Sequence, residues 1–584
     1  MLLATTQGST TASLGLIEGC LTAILAAAAF VAPRLGSALF SRVERTFAKL
    51  ARRQGLMVAM VGLATLVLRL AILPLKPIPL PFIPDDFSFL LSANTFALGR
   101  LTNPTPALWT HFETIHISMV PTYMSMYFPG QGLVLALGKV LFGNPWFGQL
   151  IVSALMCAAI CWMLQAWLPP SWALLGAILA VIRIGIFSYW VNSYTGGALL
   201  TALGGALILG ALPRLMKTAR PRYGILMGLG IALQVVTRPY EGMLLCLPVA
   251  FVLGRWALFG KNRHEPAVLI RRAALPLLIV AASAAWLGYY DYRAFGKATT
   301  LPYTINRAQY AVAPYYVWQS QRPEPQYNHD SMRRFYHDAE LKMYRKAHSL
   351  SGFPGQVFLK IFVVLLFYGG LALAPPLIMV RRLFLDRRIR FLVVCVLILC
   401  AGMLIEIYMI PHYVAAYTAV FYALGLQAMR HLRLWAPEGK PVGLQLVRII
   451  VTLCVVLAVV RLFNVPLHLA VPEWPASNWS GMWYGPDRYG TERAQIQSRL
   501  ESLPDKQLVL VREPYNRDSL DQWVYNDPDI DHSKVVWAND MAPADNLQLI
   551  QYYRDRNVWL VEMDTLPATV SPYPMPPQLT TDPR

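Results

Sequence analysis

Long apolar runs follow one another along most of this sequence, and their length limits the folds open to it. A helix needs about 17–25 apolar residues to cross a bilayer. About twelve runs approach this length, and several are short enough to predict tilted or re-entrant pieces. Only 14% of the residues are charged, against about 25% in soluble domains, which predicts one polytopic membrane domain. The runs lie near 13–33, 56–74, 146–168, 171–189, 195–213, 223–237, 242–258, 273–288, 357–380, 391–410, 412–430 and 446–466.

Basic residues are clustered between alternate apolar runs, which is typical of cytoplasmic loops. The net charge of +19 is therefore no sign of nucleic-acid binding. Six cations follow the first run and none precedes it, which favours a retained anchor over a cleaved signal. The clusters fall at about 34–53, 214–222, 255–272, 381–390 and 430–448.

The alternation also orients the rest of the chain. It places two loops outside the cytoplasm, the first long loop at about 75–145 and the second long loop at about 289–356. We expect a protein of the cell (inner) membrane whose active face is extracytoplasmic. Its predicted parts are an N-terminal anchor helix with a basic cytoplasmic loop (1–55), a transmembrane domain (56–466) and an extracytoplasmic domain (467–584).

The C-terminal tail changes in composition. After an aromatic linker at 472–490, the spacing predicts helices at 491–503 and 543–555 and buried strands at 507–512, 534–538 and 557–562. A strand–helix–strand order favours a small α/β domain with parallel pairing. No glycine-rich phosphate loop follows a strand. A docking role and a role in acceptor binding both stay open.

An acidic pair, Asp85 and Asp86, stands after Pro84 directly behind the second run. Acidic residues favour the first turn of a helix, and 87–99 has helical character. A carboxylate at the membrane surface is also where a base is needed to activate a hydroxyl against a lipid-linked substrate. The sequence permits both interpretations.

Further along the first long loop lie His111, Glu113 and His116, in the segment HFETIH. Their spacing is not diagnostic of a metal site, so a divalent metal is possible but not required. A polar loop face explains these residues equally well. The segment 129–132 (PGQG) then leads into an apolar stretch that ends in LFG at 141–143.

A span, an acidic pair, an amphipathic helix and a proline-led re-entry ending in LFG together resemble the integral-membrane glycosyltransferases of the GT-C superfamily. The nearest branch is that of protein O-mannosyltransferases and lipid A aminoarabinose transferases. The resemblance covers about 56–430 in layout and about 84–145 in motif. That family usually has Asp-Glu where this chain has Asp85-Asp86.

The resemblance implies a fold of about 11–13 transmembrane helices with a small C-terminal α/β domain. It further implies inverting transfer of a sugar from a polyprenyl-phosphate donor, with Asp85 as general base and Asp86 beside it. The remaining partners are membrane lipids and an acceptor that is a glycan, a lipid or a protein. No cofactor is implied beyond the possible metal.

Transfer from a sugar phosphate also needs a cation beside the leaving phosphate. Four candidates reach the side of Asp85: Arg183, Arg238, Lys360 and His412. Arg183 and Lys360 could equally snorkel to headgroups, Arg238 could pair with Glu241, and His412 could be an interfacial histidine. We favour Arg238 and His412, since each sits in a turn with aromatic neighbours.

Candidates for sugar or acceptor binding lie in the same predicted outer segments, although an interfacial aromatic belt also accounts for the rings. The tyrosine-rich second long loop could act as a lid or as a platform for the C-terminal domain. The candidates are Glu113, His116, Asn192, Tyr194, Glu241 and Tyr413.

Two other functions compete with transfer. A lipid or glycan transporter should have related halves and broken helices, and the turn at Arg238 breaks one hydrophobic hairpin, although no paired half is visible. A non-catalytic assembly protein of the same fold would not need Asp85. Loss of transfer on replacing Asp85 separates an enzyme from such a protein.

Overall fold

The computed structural model describes residues 14–218, 220–259, 266–463, 467, 490–565 and 567–574. The predicted linker 472–490 lies outside this part of the chain except for its last residue, and so do residues 1–13 of the predicted anchor. The described chain is mostly helical, with a small sheet near its C-terminus, as the sequence predicts.

The helices of the N-terminal half follow one another closely along the chain except across the first long loop. They are α1 (Leu14–Val31), α2 (Ser37–Ala51), α3 (Gln54–Ala71), α4 (Pro84–Ala97), α5 (Pro129–Phe142), α6 (Trp146–Trp167), α7 (Pro170–Ala180), α8 (Tyr189–Asn192), α9 (Ala198–Thr218), α10 (Pro221–Val235), α11 (Pro239–Phe259) and α12 (Pro266–Phe295).

The second long loop begins the other half. The helices there are α13 (Pro302–Tyr310), α14 (Asp330–Arg333), α15 (Glu340–His348), α16 (Gly352–Tyr368), α17 (Val380–Leu385), α18 (Arg390–Ile405), α19 (Thr418–Arg433), α20 (Val442–Leu462), α21 (Thr491–Glu501) and α22 (Pro543–Tyr552).

The molecule is a multi-pass membrane protein, and the described residues contain fewer long spans than the sequence predicts. In the described part of the chain, six helices are long and apolar enough to cross a bilayer, or up to eight if each of two sharply bent helix pairs is one span. Several predicted runs are broken: α7 passes into a π turn at Val181–Gly185, and α19 is preceded by a 3-10 segment at Pro411–Tyr417. An apolar run in the sequence indicates only that the segment is buried, not that it forms one continuous helix. Irregular backbone is tolerated at membrane depth where other parts of the protein cover it.

Small residues bring the membrane helices close together. Helix α6 packs against α3 and α9, and α10 packs against α9 and α12. A Cβ added to Gly205 in α9 would come within 1.9 Å of the carbonyl oxygen of Ala416. Only glycine permits this approach, which sets the segment 411–417 directly against α9.

The first long loop folds into a helix and a small sheet. Pro84 occupies the first position of α4 and the two acids fill its first turn, where proline and negative charge are favoured. The predicted helix at 87–99 is thus confirmed and begins three residues earlier. A three-stranded antiparallel sheet follows, in the order β1 (Asn103–Pro104), β3 (Thr122–Ser125), β2 (Ile117–Ser118).

The tail forms the predicted α/β unit. Strand β4 (Lys506–Arg512) pairs in parallel with both β5 (Val535–Asn539) and β6 (Arg556–Glu562), and α22 connects β5 to β6. A fourth strand, β7 (Thr569–Pro572), pairs antiparallel with β6. The sequence does not predict β7, because its short segment TVSP lacks a buried apolar pattern.

The C-terminal unit packs directly on the first long loop. The rings of Phe87 and Tyr525 are stacked with centroids 4.3 Å apart. Thr114 donates a 2.6 Å hydrogen bond to Gln522, and Tyr123 donates one of 2.9 Å to the carbonyl of Asn526. Buried apolar residues of the loop and of the sheet form one continuous core, so the helix that carries the acidic pair rests on the C-terminal unit.

We expect Tyr525→Ala, which removes this contact, to lower the free energy of unfolding by about 3–5 kcal/mol, the usual cost of deleting a buried aromatic ring. The measurement is thermal unfolding of the purified protein together with the rate of proteolysis of the C-terminal unit. Tyr515→Ala is the matched control, because Tyr515 lies in the same unit and is 68% exposed. Equal unfolding temperatures for the two variants would contradict the contact's importance.

Candidate active site

The two acids at the start of α4 have different surroundings. The Asp85 side chain is 21% exposed, whereas Asp86 is fully buried. Asp86 accepts hydrogen bonds from the backbone N–H groups of Tyr194 at 2.8 Å and Phe82 at 3.3 Å. Burial raises the pKa of Asp86 to about 7, although these two backbone donors act in the opposite direction. Asp86 therefore holds the backbone turn at 193–195 against α4.

Asp85 instead contacts ionisable side chains of its own loop. The Tyr127 hydroxyl donates a 2.5 Å hydrogen bond to Asp85 Oδ1. His116 Nδ1 lies 2.9 Å from the Tyr127 oxygen and 3.4 Å from Asp85 Oδ2. Tyrosine has one hydroxyl proton, which is directed to Asp85, so Nδ1 of His116 must carry the hydrogen of the second bond.

The second long loop fixes the position of His116. This residue has φ of 64°, an uncommon conformation for a side chain other than glycine. Its backbone N–H donates to the Tyr336 hydroxyl at 3.1 Å, and Tyr336 donates to Asn306 at 3.0 Å. The strained backbone of His116 is thus held by groups that come from another part of the chain.

These contacts keep Asp85 ionised. Burial pushes the pKa of Asp85 upward, but the charge and hydrogen bond of His116, then the hydrogen bond of Tyr127 and the charge of His412, outweigh it. The pKa of Asp85 is consequently held well below its usual range. Near neutral pH the group is a carboxylate, able to accept a proton.

Two of the four predicted cations lie in the surroundings of Asp85. His412 affects the pKa of Asp85, as stated, and its Nδ1 is 2.8 Å from the Tyr189 hydroxyl. Burial raises the pKa of Tyr303 well above its usual range. The charge of Arg238 opposes this shift, and the charge of Asp85 adds to it. Tyr303 is thus within electrostatic range of both, and its ring lies 5.6 Å from that of Tyr127.

Arg238 is held in a defined orientation by three contacts. One terminal nitrogen is 3.0 Å from Glu241 Oε1, and Nε donates to the carbonyl of Gly196 at 3.0 Å. The guanidinium carbon lies 4.6 Å from the centre of the Tyr413 ring. The predicted alternative, an ion pair with Glu241 across the turn, is therefore present.

A glycine turn links the acidic pair to the cations. Gly196 has φ of 86°, and a Cβ added there would lie 2.8 Å from the His412 ring. The same turn supplies the Tyr194 N–H to Asp86 and the Gly196 carbonyl to Arg238. A side chain at Gly196 would displace His412, since both the conformation and the space require glycine.

Arg183 and Lys360 have other environments. Arg183 donates to the carbonyls of Phe367 at 2.9 Å and Leu366 at 2.7 Å and lies 3.9 Å from Glu18. Lys360 donates to the carbonyls of Met403, at 2.8 Å, and Glu406. Both cations thus bind the last carbonyls of α16 and α18. None of these contacts involves Asp85 or its partners.

Three of the residues predicted to bind sugar or acceptor connect buried backbone segments. Glu113 accepts from Tyr310 at 2.8 Å and Asn328 at 2.9 Å, which joins the two long loops. Asn192 accepts from Arg69 at 2.9 Å, and the Tyr194 hydroxyl donates to the carbonyl of Pro79 at 3.0 Å. Ligand binding by these three side chains stays a prediction.

Sequence reasoning offers Tyr189 and Tyr303 only as rings that could bind a sugar, and it does not identify Tyr127. Tyr127 is 42 residues from Asp85, and no local pattern connects them. The second long loop is rich in tyrosine, but the first long loop holds only Tyr123 and Tyr127 and gives no signal for Tyr127. Within the described residues, no three His, Cys, Asp or Glu side chains lie together as a metal ion would require.

The fold and the site define a multi-pass membrane protein with an ionised, partly exposed carboxylate in its first long loop. No protein-family model and no curated protein matches the chain. Solved structures do match. ArnT from Cupriavidus metallidurans, in the apo state, has a TM-score of 0.48 and 11% identity over 86% of this chain and 92% of its own.

Structures of an archaeal oligosaccharyltransferase match as well. AglB from Archaeoglobus fulgidus, in complex with an inhibitory peptide and a dolichol-phosphate, has a TM-score of 0.43 and 10% identity over 86% of this chain and 69% of its own. At TM-scores below 0.5 these likenesses do not place the chain in a family, and the function rests on the residues themselves.

Proposed function

We propose that this protein is a membrane glycosyltransferase. It transfers a sugar from a polyprenyl-phosphate donor to an extracytoplasmic acceptor with inversion, and Asp85 is the general base. The observation that carries the proposal is the partly exposed carboxylate of Asp85, ionised beside His116 and Tyr127 and in the electrostatic range of His412. A base and cations for an anionic leaving group are what the reaction requires.

Asp85 acts on the acceptor in this proposal. Its carboxylate accepts the proton of an acceptor hydroxyl as the hydroxyl oxygen bonds to the anomeric carbon. The bond from that carbon to the phosphate oxygen breaks on the opposite face, and the electron pair leaves with polyprenyl phosphate. Each carboxylate oxygen has two lone pairs, so Asp85 can bind the hydroxyl and retain Tyr127.

Arg238 acts on the donor as the cation. Burial and the charge of Arg238 lower the pKa of His412 well below its usual range, so His412 acts on the donor as a neutral hydrogen-bond donor. Two of the three guanidinium nitrogens of Arg238 bind Glu241 and Gly196, which supports a role for the third in binding a phosphate oxygen. Charge-assisted bonds of this kind strengthen as charge develops on the leaving group. The Tyr413 ring beneath the guanidinium keeps its plane fixed.

The proposal is tested with purified full-length protein in lipid nanodiscs and a radiolabelled polyprenyl-phosphate sugar. Release of polyprenyl phosphate together with a glycosylated acceptor is the expected result. Movement of intact donor across the bilayer without cleavage would indicate a transporter instead. No cleavage with any hexose or pentose donor and membrane-extract acceptors would contradict the proposal.

The contacts of Asp85 predict a change in pH dependence. Asp85 accepts a proton only above its pKa, and both His116 and Tyr127 lower that pKa. Tyr127→Phe removes a hydrogen bond to a charged group, worth about 1.5–3 kcal/mol, so the acidic limb of the rate profile should move up by about one to two pH units. His116→Gln should move it further, because His116 contributes charge as well.

The measurement is the transfer rate of each variant between acidic and neutral pH. His337→Gln serves as control, since His337 pairs with Asp338 at 2.7 Å in the second long loop. Its profile should match that of the unchanged protein. An unshifted acidic limb in both Tyr127→Phe and His116→Gln would show that Asp85 is not the titrating base.

A further inference from the structure

Helix α2 exposes two chemically different stripes on one short helix. Leu39, Val43 and Leu50 are 65%, 57% and 47% exposed, and at 100° per residue they lie on one side of the helix. Next to that apolar stripe runs a basic one. Its exposed cations are Arg42, Arg45 and Lys49.

The remaining side of α2 is attached to the membrane domain. Glu44 accepts hydrogen bonds of 2.9 Å from both Arg433 and Arg448. Gln445 donates to the carbonyl of Leu35, just before the helix, at 3.2 Å. Because Glu44 fixes the rotation of the helix, the apolar stripe cannot turn into the protein interior.

The connections of α2 place it at the boundary of the bilayer. Only Arg52 and Arg53 separate it from α3, which is one of the six helices long and apolar enough to cross a membrane. The apolar surface continues beyond this turn, since Leu56, Met60 and Leu63 of α3 are 46%, 47% and 53% exposed. A soluble partner on the apolar stripe would have to enter the hydrocarbon beside α3.

We propose that α2 is an interfacial helix that binds anionic phospholipids. The stripe Leu39, Val43 and Leu50 lies in the upper acyl region, and the basic stripe contacts the phosphate-bearing headgroups. An amphipathic helix with cations beside its apolar face binds membranes through both burial and charge, and anionic headgroups attract such cations. This surface is separate from the candidate active site and independent of the proposed reaction.

The test compares lipid binding by three forms of the full-length protein in detergent. One variant carries Arg42→Gln, Arg45→Gln and Lys49→Gln, all at exposed positions where we expect little effect on folding stability. The matched control carries Lys346→Gln, Arg499→Gln and Arg554→Gln, three exposed cations outside α2. Each is titrated with phosphatidylglycerol and with phosphatidylcholine, and retained lipids are counted by native mass spectrometry.

We expect the unchanged protein and the control to prefer phosphatidylglycerol, and the α2 variant to lose about tenfold or more of that preference, given about 1 kcal/mol per cation. In nanodiscs that contain phosphatidylglycerol, amide exchange in α2 should be slower than in phosphatidylcholine. Equal preference in all three proteins would overturn the proposal. So would a stoichiometric protein partner that the α2 variant loses while its lipid preference is unchanged.

Discussion

Transfer should fall by about 100-fold to 10,000-fold when Asp85 is replaced with Asn, the usual contribution of a general base. The amide keeps the size of the side chain and can still accept the hydrogen bond from Tyr127, so the site should keep its shape. It cannot take a proton from the acceptor hydroxyl. The measurement is kcat with saturating donor, and donor affinity should stay nearly the same.

Asp86→Asn is the matched control, because it makes the same change one residue away in a different environment. The carboxylate of Asp86 accepts one backbone N–H on each oxygen, whereas an asparagine amide accepts only one of these bonds, because its nitrogen is a donor. We expect a loss of stability of about 1–3 kcal/mol, seen in thermal unfolding, and near-normal transfer per folded molecule. If Asp86→Asn were folded but inactive and Asp85→Asn were active, the base would be Asp86.

Changing Arg238 should have the second largest effect. Arg238→Gln removes the proposed phosphate contact and also leaves Glu241 buried without its ion pair, which costs about 3–5 kcal/mol. The double variant Arg238→Gln with Glu241→Gln removes both charges and so separates phosphate binding from folding. We expect this double variant to fold and to bind the lipid-linked donor at least about tenfold more weakly, since hydrogen bonds to charged groups are worth about 1.5–3 kcal/mol.

Two comparisons sharpen the test of Arg238. Arg238→Lys keeps the charge but loses the planar fork that reaches Glu241 and Gly196 together. Its affinity for the donor should therefore lie between that of the unchanged protein and that of the double variant. Glu241→Gln alone should retain donor binding, because the guanidinium remains. Unchanged donor affinity in the folded double variant would show that Arg238 is not the phosphate ligand.

The sequence predicts well what depends on neighbouring residues. Helix α4 begins at Pro84 with two acids in its first turn, and the tail has the predicted strand–helix–strand order, because capping and hydrophobic periodicity act within one or two turns. The number of spans is predicted less well. An apolar run such as 171–189 indicates burial, but it does not show that the helix breaks at Val181–Gly185.

For the candidate site too, the sequence predicts some features and leaves others to the tertiary structure. The sequence offers Arg238 and His412 on general grounds of charge and position, and both lie at the Gly196 turn that also binds Asp86, whereas Arg183 and Lys360 bind helix-end carbonyls. All four cations have similar apolar flanks. What separates them is which helix packs beside each one, and that is set by contacts far apart in the chain.

The amino-acid sequence alone determined that this is a helical membrane protein with an acidic pair at the start of a loop helix. Only the tertiary structure decided that Asp85 is partly exposed beside Tyr127 and His116 while Asp86 is buried against the backbone of Tyr194 and Phe82. Neighbouring residues on a helix point about 100° apart. Their chemical roles therefore depend on what the rest of the fold brings to each side, and no local pattern encodes that.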